Sequence, residues 1–343
     1  MIPHSRPTIT TADRKNVLKV LESGMVTGGP VVEAFENAMA KAAGVKYAVA
    51  VNSGTSAIHL ALLAFGIKKG DKVIIPDYVC TALLNCLNYV GAQPIIADCN
   101  PTNANLSLES VQRLMTKKIK AIIVPHMFGL AQDLAPFKRL GVPVIEDCAH
   151  TFGSKVNGNK IGSMGHVAVC SFYATKLLCA GEGGMLLTNS TAIRERTLDL
   201  REYDEKDDYQ TRFNYRLTDI HAAMGLSQLN QLAWFIAKRR AIAARYSAEI
   251  KNPRVLPCGI VQNNIYFRYI VTYKGLAGEA IRRLNKNGIS ARRPIYKLLG
   301  DYMKKCPCPN SSNMYQHAVS IPIYPLLSQA ETGKIIKAIN TLL

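Results

Sequence analysis

The chain has 343 residues, enough for two domains at roughly 150 residues each, and 48% of them are hydrophobic against 19% charged. This is the composition of a globular protein with a large core, and no apolar run reaches the ~18 residues a membrane helix requires. The formal net charge of +18 suits an anionic partner, yet there is no zinc-finger spacing, no RNP-like motif and only one Trp, so nucleic acid is not expected.

The first residues, MIPHSRPTITTADRKN, are polar and lack the apolar segment of a secretory signal, so a soluble cytoplasmic protein is expected. From Lys46 onward the pattern alternates. YAVAVNS reads as a strand and TSAIHLALLAFGI as a helix; KVIIPDY as a strand and TALLNCLNYVG as a helix; PIIADCN as a strand and LSLESVQRLMTK as a helix. KAIIVPHMFG is a strand, DLAPFKRLG a short helix, VPVIEDCAH a strand, and VAVCSFYA and GMLLTNS are two more. Short Val/Ile-rich runs separated by helices mean βαβ units and a mostly parallel, buried sheet, here of seven strands in an α/β fold. A helical stretch from about Thr218 to Ile250 is long for one helix, and a kink or break is expected in it. After Asn252 the pattern changes: IYFRYIVTY reads as a strand, GLAGEAIRRLNKNG as a helix ended by Gly288, and SQAETGKIIKAINTLL as a last helix. The expected division is a large domain over 1–235, with an N-terminal arm, and a small C-terminal α+β domain over 236–343. Between Lys238 and Lys305 there are 16 Lys and Arg against three acids, so the second domain carries the basic excess.

Nine cysteines, at 80, 86, 99, 148, 170, 179, 258, 306 and 308, contain no CxxC pair. Several sit in apolar runs such as VAVCSF, where a thiol behaves as a small hydrophobe, so reduced thiols are expected rather than a disulfide framework. Cys306-Pro-Cys308 has no second ligand pair to accompany it, and no metal site is expected.

Three features carry chemistry. Asn52-Ser53-Gly54-Thr55-Ser56 falls between a strand and a helix, where glycine allows close backbone approach and helix N–H groups attract an anion. Asp147 ends VPVIEDCAH, at the carboxyl end of a parallel strand, where ligands of open α/β sheets bind. Lys176 lies in SFYATKLLCAGEGGMLLTN, five residues after Ser171 and ahead of a glycine-rich turn. A desolvated lysine has a lowered pKa, and its free amine forms a Schiff base with an aldehyde. Each feature has an ordinary reading: an N-cap, an acid capping the next helix, a solvated loop lysine. In this order they supply a phosphate cradle, a partner for a ring nitrogen and an imine-forming amine, the three needs of pyridoxal phosphate.

The sequence resembles the DegT/StrS-type sugar aminotransferases, a branch of the fold-type I pyridoxal-phosphate enzymes. The likeness runs from GGPVVEAFE through NSGTSAIHLAL, GDKVIIPDY, VPHMFG, VIEDCAH, GSMGHVAVCSFYATKLLCAGEGGMLLTN and FNYRLTDIHAAMGLSQL to SIPIYPLLS. It implies a homodimer with active sites at the subunit interface. It implies that Lys176 holds the cofactor and moves the proton, that Asp147 pairs with the pyridine nitrogen, and that Gly54, Thr55 and Ser171 hold the phosphate. Asn214, in FNYRL, matches an asparagine that reaches the phosphate from the other subunit; His150 matches a position near the ring's phenolic oxygen, and Ala149 packs on one ring face. The family commonly has a ring-stacking aromatic four positions after the proline of a P-x3-aromatic segment. Counting from Pro76 gives Cys80, so either Cys80 packs there or Tyr78 or His126 takes part instead.

The implied reaction takes an amino group from an amino acid, glutamate by family likeness, to a nucleotide-linked keto-sugar. The basic second domain, with Arg292 and Arg293 as candidates, suits the diphosphate. Competing readings are a sugar 3-dehydratase, which the resemblance would give a histidine in place of Lys176; a cysteine desulfurase with Cys179 or Cys306 as nucleophile; and a regulatory protein that keeps the cofactor without turnover.

Overall fold

The computed structural model describes residues 1–259, 263–303 and 308–343. Two helices come first, α1 (Thr11–Ser23) and α2 (Pro30–Ala43). Thr10 and Asp13 cap α1 reciprocally, and Gly24 ends it in the left-handed conformation. The start of α2 is capped from far along the chain: Asp219 accepts the N–H groups of Gly29 (2.9 Å), Val31 (3.3 Å) and Val32 (2.8 Å).

Strands and helices then alternate: β1 (Tyr47–Val51), α3 (Gly54–Ala64), β2 (Lys72–Pro76), α4 (Ala82–Tyr89), β3 (Gln93–Ala97), α5 (Leu108–Leu114), β4 (Ile119–Pro125), α6 (Ala135–Lys138) and β5 (Val144–Asp147). A small hairpin, β6 (Lys155–Val156) and β7 (Asn159–Lys160), precedes β8 (Val167–Ser171), β9 (Gly184–Thr188) and α7 (Thr191–Arg201). The large sheet has seven strands in the order β1-β9-β8-β5-β4-β2-β3. Strand β9 runs antiparallel to both of its neighbours, β1 and β8, and the other pairs are parallel. The remaining six strands therefore share one direction and end at one edge. Except in the edge strand β3, their residues are buried almost throughout, as a sheet covered on both faces requires.

The stretch expected to break does so. α8 (Asp219–Asn230) and α9 (Leu232–Glu249) meet at Gln231, whose side-chain amide donates to Asp13 Oδ1 at 3.0 Å and to the Ser227 carbonyl at 3.1 Å. Helix α9 leads to a three-stranded antiparallel sheet, β10 (Val255–Pro257), β11 (Tyr269–Tyr273) and β12 (Ala318–Ile321). Its helices are α10 (Ala277–Lys286), α11 (Leu299–Met303), α12 (Pro309–His317) and α13 (Gln329–Leu342). Tyr246, Tyr269, Tyr273, Leu284, Ile335 and Ile339 form the centre of a separate core here. Only the second half of IYFRYIVTY is strand. Asn264 Oδ1 accepts the Tyr266 N–H at 2.6 Å and Tyr266 has φ +50°, so residues 264–268 turn toward the large sheet before β11 begins. The N-terminal segment lies against the small sheet: Ile2 pairs with Ile289, and His4 Nε2 lies 2.8 Å from Ser320 Oγ. No helix among the described residues is long and apolar enough to cross a membrane.

Candidate active site

The common direction of the six strands brings distant sequence segments to one edge. Helix α3 begins two residues beyond β1, Cys80 lies just beyond β2, Asp147 ends β5 and Ser171 ends β8. A cavity of about 290 Å³ opens there, lined by Gly54, Thr55, Cys80, Asp147, Ala149, Ser171 and Lys176, with Tyr173 and Glu182 at its sides. Two glycines allow this packing. A Cβ on Gly54 would stand 2.8 Å from Ser171 Cβ, and one on Gly184 would stand 2.2 Å from the Ser53 carbonyl oxygen. The α3 start and the β8–β9 connection thus approach within backbone contact. Ser53 Oγ accepts the Ser56 N–H at 3.0 Å; the first N–H groups of a helix have no carbonyl partner of their own, and those of α3 begin at the cavity wall. With the Ser171 hydroxyl alongside, this edge suits a phosphate.

The connection carrying Lys176 is closed at its base, with Phe172 N–H donating to the Gly183 carbonyl (2.8 Å) and Ala180 N–H to that of Phe172 (2.9 Å). The Lys176 side chain is half-buried overall, but its amine is turned inward, 5.4 Å from the centroid of the Phe267 ring. Burial lowers its pKa; Cys80 and Asp147 pull it back up and Arg268 depresses it further. Asp147, 8% exposed, moves the opposite way. Burial raises its pKa against the Ala149 N–H, which donates to Oδ1 at 2.9 Å, and against Lys176 and His126. For both groups desolvation outweighs the mutual attraction, so burial shifts the Lys176 amine and the Asp147 carboxyl each toward its neutral form. A buried carboxyl with a single N–H donor and no bonded cation fits a protonated ring nitrogen. Together with the Gly54–Ser171 cradle, the residues present fit pyridoxal phosphate.

His150 is not part of the cavity lining. Its ring is stacked on Phe267 at 4.3 Å, with Phe128 at 5.9 Å. Burial, then Lys176 and Arg268, keep it well below the usual imidazole range, so it is neutral. Asn214 is exposed, its carbonyl accepting from Asn52 Nδ2 at 3.0 Å, and it does not enter the cavity of its own chain. Of the stacking alternatives, Tyr78 is fully buried against the edge of Phe128, as an ordinary core aromatic. His126 is also fully buried, its Nδ1 accepting the Gln132 N–H at 3.0 Å and its Nε2 lying 3.0 Å from Glu146. Neither lines the cavity; Cys80 does.

Among the rival nucleophiles, Cys179 is 3% exposed and its thiol is pushed up by burial, which leaves it protonated and inert. Cys306, and with it the Cys306-Pro-Cys308 spacing, lies outside the described residues. Of the two basic candidates, Arg293 is occupied, stacked 4.3 Å over the Tyr315 ring and bonded to the Tyr315 carbonyl, whereas Arg292 is exposed. Sequence reasoning overlooked Phe267 and Arg268, which the turn at 264–268 delivers beside Lys176. The available signal was an arginine inside an apolar run, IYFRYIVTY.

A sequence model of the DegT/DnrJ/EryC1/StrS aminotransferase family matches residues 7–340. The chain is 31% identical to GDP-perosamine synthase of Escherichia coli O157:H7, over 99% of this chain and 98% of that one. It is also 31% identical to GDP-perosamine synthase of Vibrio cholerae, over 99% and 98%. Among solved structures, Helicobacter pylori PseC, an aminotransferase involved in the biosynthesis of pseudoaminic acid, superposes with a TM-score of 0.91 at 25% identity, covering 98% of each chain.

Proposed function

The chain belongs to the DegT/DnrJ/EryC1/StrS aminotransferase family, and from that premise we propose that it transfers an amino group from glutamate to a nucleotide-linked keto-sugar. It is a sugar aminotransferase and its cofactor is pyridoxal phosphate. The observation that supports amino transfer at this site is the meeting of Lys176, Asp147 and the Gly54–Ser171 contact in one cavity; the names of the relatives support the acceptor.

When bound, pyridoxal phosphate supplies an aldehyde that condenses with amines and a ring that withdraws electrons from the bond being broken. In this reading the α3 start at Gly54 and Thr55, with the Ser171 hydroxyl, holds the phosphate. Asp147 holds a proton on the ring nitrogen. Ala149 and Cys80 would wall the ring, while His150, stacked on Phe267 outside the cavity lining, takes no direct part. Lys176 would hold the cofactor through its amine and, with its pKa lowered by burial, would serve as the base that moves a proton at the donor's α-carbon. Asn214 completes the phosphate site of a second subunit in a homodimer. The same reading divides the chain at 235/236, within α9.

The names of the relatives make GDP-linked keto-sugars the first acceptors to test. Protein loaded with pyridoxal phosphate absorbs visible light, glutamate bleaches it, and a GDP-linked keto-sugar restores the colour while mass spectrometry finds the amino-sugar. If no amino acid bleaches the protein, amino transfer is wrong; if bleaching occurs and no keto-sugar nucleotide restores the colour, the acceptor is wrong.

A further inference from the structure

Beside Lys176 stands a cation with no anion bonded to it among the described residues. Arg268 lies at the end of the 264–268 turn. Its Nη1 is 3.3 Å from both ring nitrogens of His4, and His4 is in turn held by Ser320. A guanidinium has five N–H donors. Among the described residues His4 is the one side chain bonded to Arg268, and its buried Nε has no partner. The charged groups that bear on it are cationic: Arg292 depresses its pKa after burial has done so, and Arg268 in turn depresses Lys176, His150, Arg239 and His4. Its guanidinium lies 5.4 Å from the Phe267 centroid, the same distance as Lys176 Nζ, so the two cations are no farther apart than twice that length. A small crevice lined by His4, Ser5, Thr175, Phe267, Arg268 and Ile323 adjoins them.

The arginine next to it shows what a structural role requires. Arg239, 4% exposed, also has an unpartnered Nε but donates from Nη1 to the carbonyls of Tyr266 (3.2 Å), Phe267 (3.1 Å) and Ile323 (3.0 Å). Among the described residues Arg268 satisfies no carbonyl with its side chain. A half-buried guanidinium with open donors is matched in shape by a carboxylate, which it binds through two parallel N–H groups.

We infer that Arg268, oriented by His4, receives a carboxylate of the amino donor. This rests on the reading of Lys176 as the amine that holds the cofactor and moves the proton at the donor's α-carbon. An amino acid whose nitrogen stands at the Lys176 amine carries its carboxylates within a few bonds of that point. The diphosphate of a sugar nucleotide is held away from the reacting carbon by the sugar ring, which makes it the poorer occupant.

The test uses glutarate, a dicarboxylate with no amino group, titrated calorimetrically into cofactor-loaded wild type, Arg268→Met and Arg268→Lys. The two half-reactions are timed separately. The methionine variant is expected to bind glutarate about tenfold or more weakly, the scale of a charged hydrogen bond, and to require proportionately more glutamate for half-maximal rate. Its keto-sugar half-reaction, started from pyridoxamine-loaded protein, is weakened less than its glutamate half-reaction, with no comparable rise in the keto-sugar nucleotide needed for half-maximal rate. Lysine keeps the charge and loses the fork, so it recovers part of the loss; if the methionine variant does not fold, a severalfold loss in the lysine variant carries the test. Unchanged glutarate affinity in the variants overturns the proposal, and so does an equal weakening toward the keto-sugar nucleotide, which would seat its diphosphate at Arg268. If wild type aminates no keto-sugar, the acceptor reading fails while the glutarate titration still decides the role of Arg268.

Discussion

Glu146 and Asp147 are neighbours at the end of β5, on opposite faces of the sheet, and their surroundings differ in kind. Glu146, fully buried, accepts N–H groups from Gly162 (2.7 Å), Met164 (2.9 Å) and Gly165 (2.9 Å), and His126 completes the set at 3.0 Å. Burial alone would raise its pKa; the His126 bond and charge and the backbone N–H groups overcome it and hold it below the usual 4.5. His126 Nδ1 accepts a backbone N–H, so its proton sits on Nε2 and points at Glu146. Asp147 faces the cavity with one N–H donor and a raised pKa. Arg239, bonded to three backbone carbonyls, and Arg268, bonded to none among the described residues, repeat the contrast across the 264–268 turn, although the Nε of each is without a partner. A charge that folding ties to the backbone holds the structure; a charge left with open valences faces the place where a ligand arrives.

The widest test of that contrast is Lys176→Ala. Removing the amine deletes both the attachment point and the acid–base group, and a proton-transfer group alone is worth about 10²–10⁴-fold. Turnover with glutamate and a keto-sugar nucleotide is expected to fall at least about 10⁴-fold, with no borohydride-fixed adduct at position 176 by peptide mass spectrometry. Full turnover in this variant would end the scheme. Next in size is Asp147→Asn, expected to lower kcat by about 10²–10³-fold, the scale of losing one preorganised electrostatic partner. Its effect on stability has the opposite sign. The folded pKa of Asp147 lies above its unfolded value, so folding takes up a proton between the two, and holding the charge buried costs stability at every pH above that window. Cofactor-free Asp147→Asn therefore melts higher than wild type at pH 7, and the gap closes as the pH falls through the window.

These acids also show how far the sequence could be read. The β5 run and Asp147 at its end were legible because strand period and strand termini are local, and the same holds for the α3 start at Gly54 and the connection holding Lys176. What could not be read depends on partners far along the chain. The cap of α2 comes from Asp219. The break at Gln231 is fixed by Asp13. The late start of the strand in IYFRYIVTY depends on Asn264, Tyr266 and Arg239, so the turn that carries Phe267 and Arg268 beside Lys176 leaves no period in the sequence. Tyr78 and His126 were open alternatives for the ring because nothing local reveals that their surroundings are closed.

Glu146→Gln should reverse the Asp147 result. One oxygen of a carboxylate that takes four donors becomes an amide nitrogen, which donates where it should accept, and breaking a buried pair from one side costs about 3–5 kcal/mol. The loss appears in thermal or urea unfolding. The sign follows from the lowered pKa: the stabilisation is complete above the unfolded value of 4.5 and is lost as the pH falls through the lower folded value. Wild type and variant therefore differ most at neutral pH and converge in acid. A variant as stable as wild type at pH 7 would break the contrast between the two faces of β5.

His4 gives the smallest effect and bears on the other half of the contrast. Burial, then Arg268, Arg292 and Arg239, bring its pKa down to about 3. A histidine buried neutral stabilises fully above the unfolded value of 6.5 and loses that stabilisation as the pH falls toward the folded one, because only the unfolded chain takes up the proton. The expected slope is about 1.4 kcal/mol per pH unit, and His4→Gln removes that share from the stability measured between pH 6 and pH 4. His59, His150 and His166 are depressed as well, so the variant keeps a residual slope. If a donor carboxylate sits at Arg268, it offsets the second-largest of the effects that depress His4. The His4 ring resonance in proton NMR should then titrate at higher pH with saturating glutarate than without it, while still lying below 6.5, because burial is unchanged. In Arg268→Met the titration starts from that higher value and glutarate no longer moves it.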